Sequence, residues 1–242
     1  MRKIAEEIAA ATADLSAQDQ LAYVAKRLAG RIALASSFSV EDQVVTDMLQ
    51  RVAPPVAVFT LDTGRLPQET YDVIEATRQR YGIEIEMLSP DAAEIEDMVR
   101  RHGPNLFYQT PELRRLCCQV RKVHPLRRRL AQLDAWICGL RREQATTRGE
   151  VRRVEWDEGN SLVKINPLAD WTTDQVWDYV RTHAVPYNRL HDRGYPSIGC
   201  APCTRAVAPG ESLRAGRWWW ESPEHKECGL HAGKGHAAGS QR

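Results

Sequence analysis

Five cysteines in three groups constrain this chain more than any other feature of its sequence. Cys117 and Cys118 are adjacent, Cys200 and Cys203 form a C-x-x-C pair, and Cys228 stands alone near the end. Two cysteine pairs on separate segments are typical of a metal centre that needs four thiolates. Structural zinc usually takes two C-x-x-C pairs, so the adjacent cysteines favour a larger iron–sulfur cluster over zinc. Four unligated, buried thiols are the remaining alternative.

Cys138 and Cys228 differ from the paired cysteines in their surroundings. Cys138 lies in an apolar run and is predicted to be a buried strand residue. Cys228 has His225, Lys226 and His231 close by in sequence, and nearby cations favour the thiolate form of a cysteine. The N-terminal segment lacks a secretory apolar core, and no apolar run is long enough to span a bilayer. We therefore expect a cytosolic location without membrane contact, where thiols stay reduced.

Charge indicates a small anionic ligand and not a nucleic acid. The net charge is +1, so no overall field would recruit a polyanion. Basic residues are nevertheless concentrated between positions 114 and 129 and between 141 and 153. This concentration predicts a local anion site.

Alternating elements predict the fold class. Strand-like apolar runs at 31–35, 56–61, 83–88, 135–140 and 162–168 are separated by stretches of helical periodicity. This pattern is typical of an α/β protein with a mainly parallel sheet covered by helices on both faces. We assign residues 1–205, including two N-terminal helices, to a nucleotide-binding domain that holds the metal site. Residues 206–242 are expected to form a flexible arm that carries Cys228.

Polar turns follow three of the predicted strands, where open α/β sheets bind ligands. Residues 36–39, here called the serine loop, join the first strand to a helix and offer backbone and hydroxyl donors to an oxyanion. A simple helix cap by Ser39 is the alternative. The turn at 62–65 follows the second strand and is either a ligand loop or a plain turn. Arg141 and Arg142 suit a phosphate or sulfate, with a solvated basic edge as the alternative.

Together these segments resemble the assimilatory sulfonucleotide reductases. The motifs are Ser-Ser-Phe-Ser at 36–39, Leu-Asp-Thr-Gly-Arg at 61–65, Cys-Cys-Gln-Val-Arg-Lys at 117–122, Gly-Leu-Arg-Arg-Glu-Gln at 139–144, the run from 194 to 205 with its C-x-x-C pair, and Glu-Cys-Gly-Leu-His at 227–231. The four-cysteine set resembles the adenylyl-sulfate (APS) branch, which carries a [4Fe-4S] cluster. The branch that uses 3′-phosphoadenylyl sulfate (PAPS) typically lacks these cysteines. Ala145 departs from the pattern, since relatives often have serine there.

The resemblance implies an adenine-nucleotide α-hydrolase-like fold and the reduction of APS to sulfite and AMP, in sulfate assimilation and cysteine biosynthesis. The implied intermediate is a thiosulfonate on Cys228, which thioredoxin or glutaredoxin then reduces. The implied roles are [4Fe-4S] ligation by Cys117, Cys118, Cys200 and Cys203, catalysis by Cys228, Lys122 and His231, and substrate binding by Ser36, Ser37, Phe38, Ser39, Leu61, Asp62, Thr63, Gly64, Arg65, Arg141, Arg142 and Arg205. The resemblance is also compatible with a homo-oligomer.

Three alternatives stay open. The first is an enzyme that uses both APS and PAPS. The second is an ATP pyrophosphatase-type thiolation enzyme of the same fold, which would release pyrophosphate and would not need Cys228. The third is a zinc-stabilised nucleotide- or RNA-binding module without catalysis, which the balanced charge disfavours.

Overall fold

A mainly parallel six-stranded sheet forms the centre of the fold, as predicted. The computed structural model describes residues 1–52, 55–145 and 148–222. The strands are β1 (Ile32–Ala35), β2 (Ala57–Leu61), β3 (Ile85–Leu88), β4 (Ala135–Ile137), β5 (Val154–Asp157) and β6 (Leu162–Ile165). They lie in the order β3-β2-β1-β4-β6-β5, and every neighbouring pair is parallel except β5 and β6.

The antiparallel edge strand β5 is absent from the sequence prediction. Its residues read Val-Glu-Trp-Asp, and only Val154 is buried. A strand at the edge of a sheet needs little apolar surface, because one side faces solvent. Its pairing with β6 therefore leaves almost no signal in the local pattern.

Helices cover the sheet. They are α1 (Arg2–Ala11), α2 (Ala17–Arg27), α3 (Val40–Val52), α4 (Gln68–Tyr81), α5 (Ala92–His102), α6 (Pro111–Cys118), α7 (His124–Leu130) and α8 (Thr173–His183). Within the described ranges, no helix is long and apolar enough to cross a bilayer.

Alternate strand residues pack on opposite faces of the sheet. Leu34 and Ile137 belong to a core that also contains side chains of α1, α2, α3 and α8. Phe59 and Trp136 face the other side and pack with Leu126 of α7. This period of two is expected for a strand that is buried on both faces. Each fully buried side chain of this size contributes about 1.5–3 kcal/mol to folding.

A π-helical segment, Gln119–Val123, joins α6 to α7 and shapes the cysteine region. Thr110 caps the start of α6, and Pro111 occupies its first turn. Cys117 and Lys122 are five residues apart, which in a regular α-helix would place them about 140° apart around the axis. The wider π turn, with i→i+5 hydrogen bonds, brings residues at this spacing towards the same side. Such segments are frequent at functional sites.

Residues 206–222 pack against the domain, so the predicted boundary at residue 205 is not where packing ends. Arg217 pairs with Thr204 in an antiparallel bridge. Trp218 is 1% exposed, and Glu221 forms a buried ion pair with Arg114 of α6 at 2.9 Å. The glycine- and proline-rich composition suggested an arm, but burial of Trp218 and this ion pair fix the segment. The arm prediction for residues 223–242 lies outside the described residues.

Candidate active site

A cavity of about 700 Å³ opens at the carboxyl edge of the sheet. Its lining includes Ala35 at the end of β1, Leu61 at the end of β2 and Cys138 just after β4. From β1 the chain continues to β2 and β3 on one side and then crosses back to β4 on the other side of β1, so the direction of the strand order reverses between β1 and β4. This is the switch point at which open α/β sheets bind ligands, and the volume is typical of a small-molecule site.

The structure brings about half of the predicted substrate and catalytic residues to this cavity. Those that line it are Ser36, Ser37, Ser39, Leu61, Thr63, Arg141 and Lys122. Those that do not are Phe38, Asp62, Gly64, Arg65, Arg142 and Arg205.

Each of these outlying residues has an observed partner elsewhere. Phe38 has a φ of +57°, is 1% exposed and packs against α4. Asp62 accepts hydrogen bonds from the Gly64 backbone and the Tyr71 hydroxyl. Arg65 lies over the ring of Phe107, Arg142 pairs with Asp170, and Arg205 pairs with Glu211 at 2.7 Å. Substrate contact by these residues stays a prediction.

The Asp42 carboxyl group accepts hydrogen bonds from the serine loop. Oδ2 of Asp42 accepts hydrogen bonds from the N–H and the hydroxyl of Ser37, both at 2.6 Å, and from the hydroxyl of Ser39 at 3.3 Å. Oδ1 of Asp42 accepts from the Gly139 N–H at 2.9 Å. Burial raises the pKa of Asp42, and the hydrogen bonds from Ser37 and Gly139 partly offset that rise. The loop predicted for a substrate anion is therefore already bound to the carboxyl group of a side chain of α3.

Gly139 makes this contact possible. A Cβ at this position would lie 2.7 Å from Oδ1 of Asp42 and 2.9 Å from both the Asp42 nitrogen and the Glu41 Cβ. Only glycine lets the chain after β4 approach the first turn of α3 this closely.

Arg141 is buried and bound within the protein. Its Nε and Nη2 donate to Oε1 of Glu41 at 3.1 and 2.9 Å. Its Nη1 donates to Glu143 at 3.2 Å and to the Trp171 carbonyl at 3.0 Å. The side chain is 3% exposed. Arg141 thus joins α3, the chain after β4 and the segment before α8, and contact with a substrate would require an exchange of partners.

Two cations that the sequence analysis did not single out, Arg214 and Arg217, also line the cavity. Arg217 is 6% exposed, donates to the Ile198 carbonyl at 3.3 Å and lies over the Trp218 ring. Within the described part of the chain its Nε has no hydrogen-bond partner. A buried guanidinium with an unused donor suits an anionic ligand. The only sequence signal was two arginines three residues apart in the segment assigned to the arm.

Aromatic residues form another part of the lining. Trp177 and His191 lie edge to face with ring centroids 5.3 Å apart. Burial lowers the pKa of His191, although Glu41 and Asp192 act in the opposite direction. Its Nε2 has no hydrogen-bond partner among the described residues. Aromatic faces of this kind can stack with a nucleobase.

The four paired cysteines line one smaller cavity. Cys117 and Cys118 end α6, and Cys200 and Cys203 lie in the short turn at 200–203. All four are 6–8% exposed, and none is in a disulfide. The two sequence pairs, about 80 positions apart, therefore come together through the tertiary fold. Their role as ligands stays a prediction.

Cations surround these thiols. Arg65, Arg114, Arg121 and Lys122 line the same small cavity. Burial alone would raise the pKa of Cys200, but Lys122, a hydrogen bond with Thr63 and Arg217 bring that pKa below its ordinary value. Lys122 and Cys200 line both cavities, so the larger cavity and the cysteine region are contiguous.

The donor chemistry fits an anionic thiolate-bound cluster. Four thiols and four cations share one cavity, and such charges stabilise a negatively charged centre. Among the described residues, no three His, Cys, Asp or Glu side chains are arranged to hold a metal ion. The four thiols thus share a cavity without forming a compact single-ion site.

The predicted nucleophile Cys228 and its predicted helper His231 lie outside the described residues. Glu221 is the last residue with an observed side-chain anchor, and Cys228 follows it by seven positions. Seven residues span at most about 25 Å when fully extended.

Comparison with known proteins gives a consistent result. Residues 31–206 match the family model described as the phosphoadenosine phosphosulfate reductase domain. The chain is 52% identical over 220 residues to an adenosine 5′-phosphosulfate reductase of Allochromatium vinosum, covering 91% of this chain and 86% of the relative. It is 51% identical over 201 residues to one of Burkholderia cepacia, covering 83% and 80%.

Solved structures agree on the fold. The chain resembles the phosphate complex of phosphoadenylyl-sulfate reductase from Candida auris, with a TM-score of 0.71, 27% identity and coverage of 86% of this chain and 98% of that one. An FMN adenylyltransferase from Candida glabrata matches with a TM-score of 0.52 at 15% identity over 84% of this chain and 71% of that one, a likeness in fold alone.

Proposed function

The chain belongs to the sulfonucleotide reductase family, whose phosphoadenosine phosphosulfate reductase domain it matches over residues 31–206, and we propose that it reduces APS to sulfite and AMP. Relatives at about 50% identity carry the name adenosine 5′-phosphosulfate reductase. The structural observation that carries the proposal is the junction at which Lys122 and Cys200 line both the larger cavity and the cysteine cavity. An anion bound there would lie next to the four-cysteine site.

The two parts of the substrate would bind to chemically different parts of the cavity lining. The phosphosulfate would bind near Lys122, Arg214 and Arg217, because charge-assisted hydrogen bonds hold oxyanions well. The adenosine would occupy the lining that contains Leu61 and Trp177. Attack of a thiolate on an anionic sulfate needs cations at the reacting centre, and these three residues supply them.

The proposed chemistry takes place in two thiol steps. The Cys228 thiolate attacks the sulfate sulfur, an S–S bond forms, and the S–O bond to AMP breaks. AMP leaves with the bridging oxygen, and Cys228 carries a thiosulfonate. A thiolate of a thioredoxin- or glutaredoxin-type dithiol then attacks the Cys228 sulfur and expels sulfite. Its second thiol resolves the mixed disulfide, so the dithiol supplies both electrons.

Cys138 is a poor alternative nucleophile although it lines the larger cavity. Burial raises its pKa to about 12, so the thiolate is scarce at neutral pH. Its Sγ contacts Oδ1 of Asn166 at 3.0 Å. This supports assignment of the nucleophile to Cys228, whose neighbours include basic residues.

We also propose that Cys117, Cys118, Cys200 and Cys203 hold a [4Fe-4S] cluster. When bound, the cluster supplies a compact negative centre next to the substrate cations. Arg121 and Arg114, which also pairs with Glu221, would balance this charge, and Lys122 would be shared between the cluster and the substrate. A cytosolic location and a homo-oligomer remain predictions.

The alternatives differ in what they require. An enzyme that uses both APS and PAPS would give the same adduct with both nucleotides, and competition between them would identify it. An ATP-dependent thiolation enzyme would release pyrophosphate and would not depend on Cys228. A zinc-stabilised binding module would be colourless and form no adduct.

Intact-mass spectrometry tests the proposal. The iron-loaded protein is mixed with APS without any reductant, and a gain of one SO₃ unit is expected. Reduced thioredoxin should remove the adduct. Cys228→Ser should abolish it, whereas the matched Cys138→Ser variant should retain it. No adduct on folded, iron-loaded wild-type protein would reject the proposed reaction.

A further inference from the structure

The two ends of the larger cavity differ in charge. Glu41 and Asp42 line it beside the serine loop. Lys122 lines it where it meets the cysteine cavity, and Arg217 lines it as well. Glu41 is paired with Arg141, so Asp42 is the carboxyl group that an anion would meet at the serine loop, whereas Lys122 and Arg217 are cations at the other end.

The serine loop has the usual form of a phosphate site. It follows β1 and precedes α3, whose N-terminus directs N–H groups and the positive end of the helix dipole towards the loop. Asp42 binds three other donors of this loop, which are the N–H and hydroxyl of Ser37 and the hydroxyl of Ser39. A phosphate at the same position would lose these donors and would also meet a carboxylate.

Asp42 is held firmly in this position. It is 4% exposed, and its second oxygen accepts from the Gly139 N–H at 2.9 Å. The missing Cβ of Gly139 leaves room for the carboxylate, since an added Cβ would lie 2.7 Å from Oδ1 of Asp42. Displacement of Asp42 by a ligand would break four hydrogen bonds, from the serine loop and from Gly139, and leave a buried carboxylate unsatisfied, which is costly.

We infer that Asp42 is a specificity-determining residue that excludes a second phosphoryl group from the serine loop. A nucleoside 5′-monophosphate, or its anhydride with sulfate, binds with its anionic end at Lys122. A nucleoside triphosphate finds no site for its terminal phosphates. The inference deepens the proposed function and rests on it only for the identity of the physiological substrate.

Calorimetric titration of AMP and ATP, without magnesium, tests this directly. The proteins are full-length, iron-loaded wild type, Asp42→Ser and Asp42→Asn. Wild type should bind ATP no more tightly than AMP. In Asp42→Ser the affinity for ATP relative to AMP should rise by about tenfold, because the freed donors can bind a phosphate. Asp42→Asn removes the charge but fills the same space, and it should gain only about threefold.

A control variant and three results make the inference refutable. Asp134→Ser removes one carboxylate at the opposite edge of the sheet, where Asp134 pairs with Arg31, and should leave the ratio unchanged. Wild type that binds ATP about tenfold more tightly than AMP would overturn the inference. So would a folded Asp42→Ser variant with unchanged AMP affinity and no gain for ATP. If that variant does not fold, an unchanged ratio in Asp42→Asn has the same meaning.

The two proposals fail separately. The ratio of ATP to AMP affinity does not depend on an adduct at Cys228. Absence of the adduct would reject APS reduction and still leave the role of Asp42 to be decided by titration.

Discussion

Replacing Gly139 by alanine should damage both the stability and the nucleotide site. The added Cβ would lie 2.7 Å from Oδ1 of Asp42, and 2.9 Å from the Asp42 nitrogen and the Glu41 Cβ. Two of these three contacts involve the first turn of α3 and not the end of a flexible side chain. The chain after β4 and the start of α3 must therefore move apart by roughly half an ångström to restore ordinary van der Waals contact.

Two contributions lower the free energy of unfolding of Gly139→Ala. Overpacking of a tight interior site costs about 1–3 kcal/mol. Loss of the hydrogen bond from the Gly139 N–H to the Asp42 carboxylate costs a further ~1.5–3 kcal/mol. A total of about 3–5 kcal/mol should lower the urea midpoint by about 1 M or more. Because the serine loop moves with Asp42, AMP affinity should also fall, by about tenfold.

Urea unfolding and AMP titration on the iron-loaded protein provide the measurements. Gly159→Ala is the matched control, because its nearest neighbour is Oδ1 of Asp157 at 3.5 Å and its backbone does not have positive φ. That variant should stay within about 0.5 kcal/mol of wild type. A Gly139→Ala protein with wild-type midpoint and wild-type AMP affinity would refute the close-approach argument.

Three further changes are informative. Glu41→Gln should lower the free energy of unfolding by about 3–5 kcal/mol, because Arg141 is 3% exposed and would lose its closest carboxylate; a wild-type urea midpoint would contradict this. Burial keeps the pKa of His191 below its ordinary 6.5, so the unfolded chain binds more protons and wild-type stability should fall as the pH drops below about 6.5. His191→Gln should reduce that fall, and equal losses between about pH 7.5 and 5.5 in the two proteins would refute the assignment. Arg217→Ala should raise the KM for APS at least about tenfold, whereas Arg205→Ala should change it less than about threefold; the opposite order would move the anion site to Arg205.

Much of the architecture could be predicted because it depends on local patterns. Strand Ile32–Ala35 is apolar throughout and Ala57–Leu61 contains Thr60 as its one polar residue, which indicates burial on both faces and so a parallel sheet covered by helices. The carboxyl ends of such strands then mark the edge of the sheet at which a ligand site is expected. The two cysteine pairs were also expected to come together, because a four-thiolate centre needs four soft donors at one place, and they line one cavity.

The chemistry of the cavity depended on contacts between distant residues, which no local pattern encodes. Asp42 lies 97 positions before Gly139, and Glu41 lies 100 positions before Arg141. In sequence, the serine loop and Arg141 both look like free anion donors, but the fold gives each a carboxylate partner. Arg217 shows the reverse case. It lies in the segment predicted to be a flexible arm, but it packs against the buried Trp218 and lines the cavity.

The sequence by itself determined the fold class and the edge of the sheet at which the cavity opens, because periodicity and residue type are enough for both, while the metal-binding role of the paired cysteines stays a prediction. Only the tertiary structure decided which donors and charges a ligand meets. Whether a buried polar group is available depends on its nearest partner, and at this site that partner comes from another element of the fold.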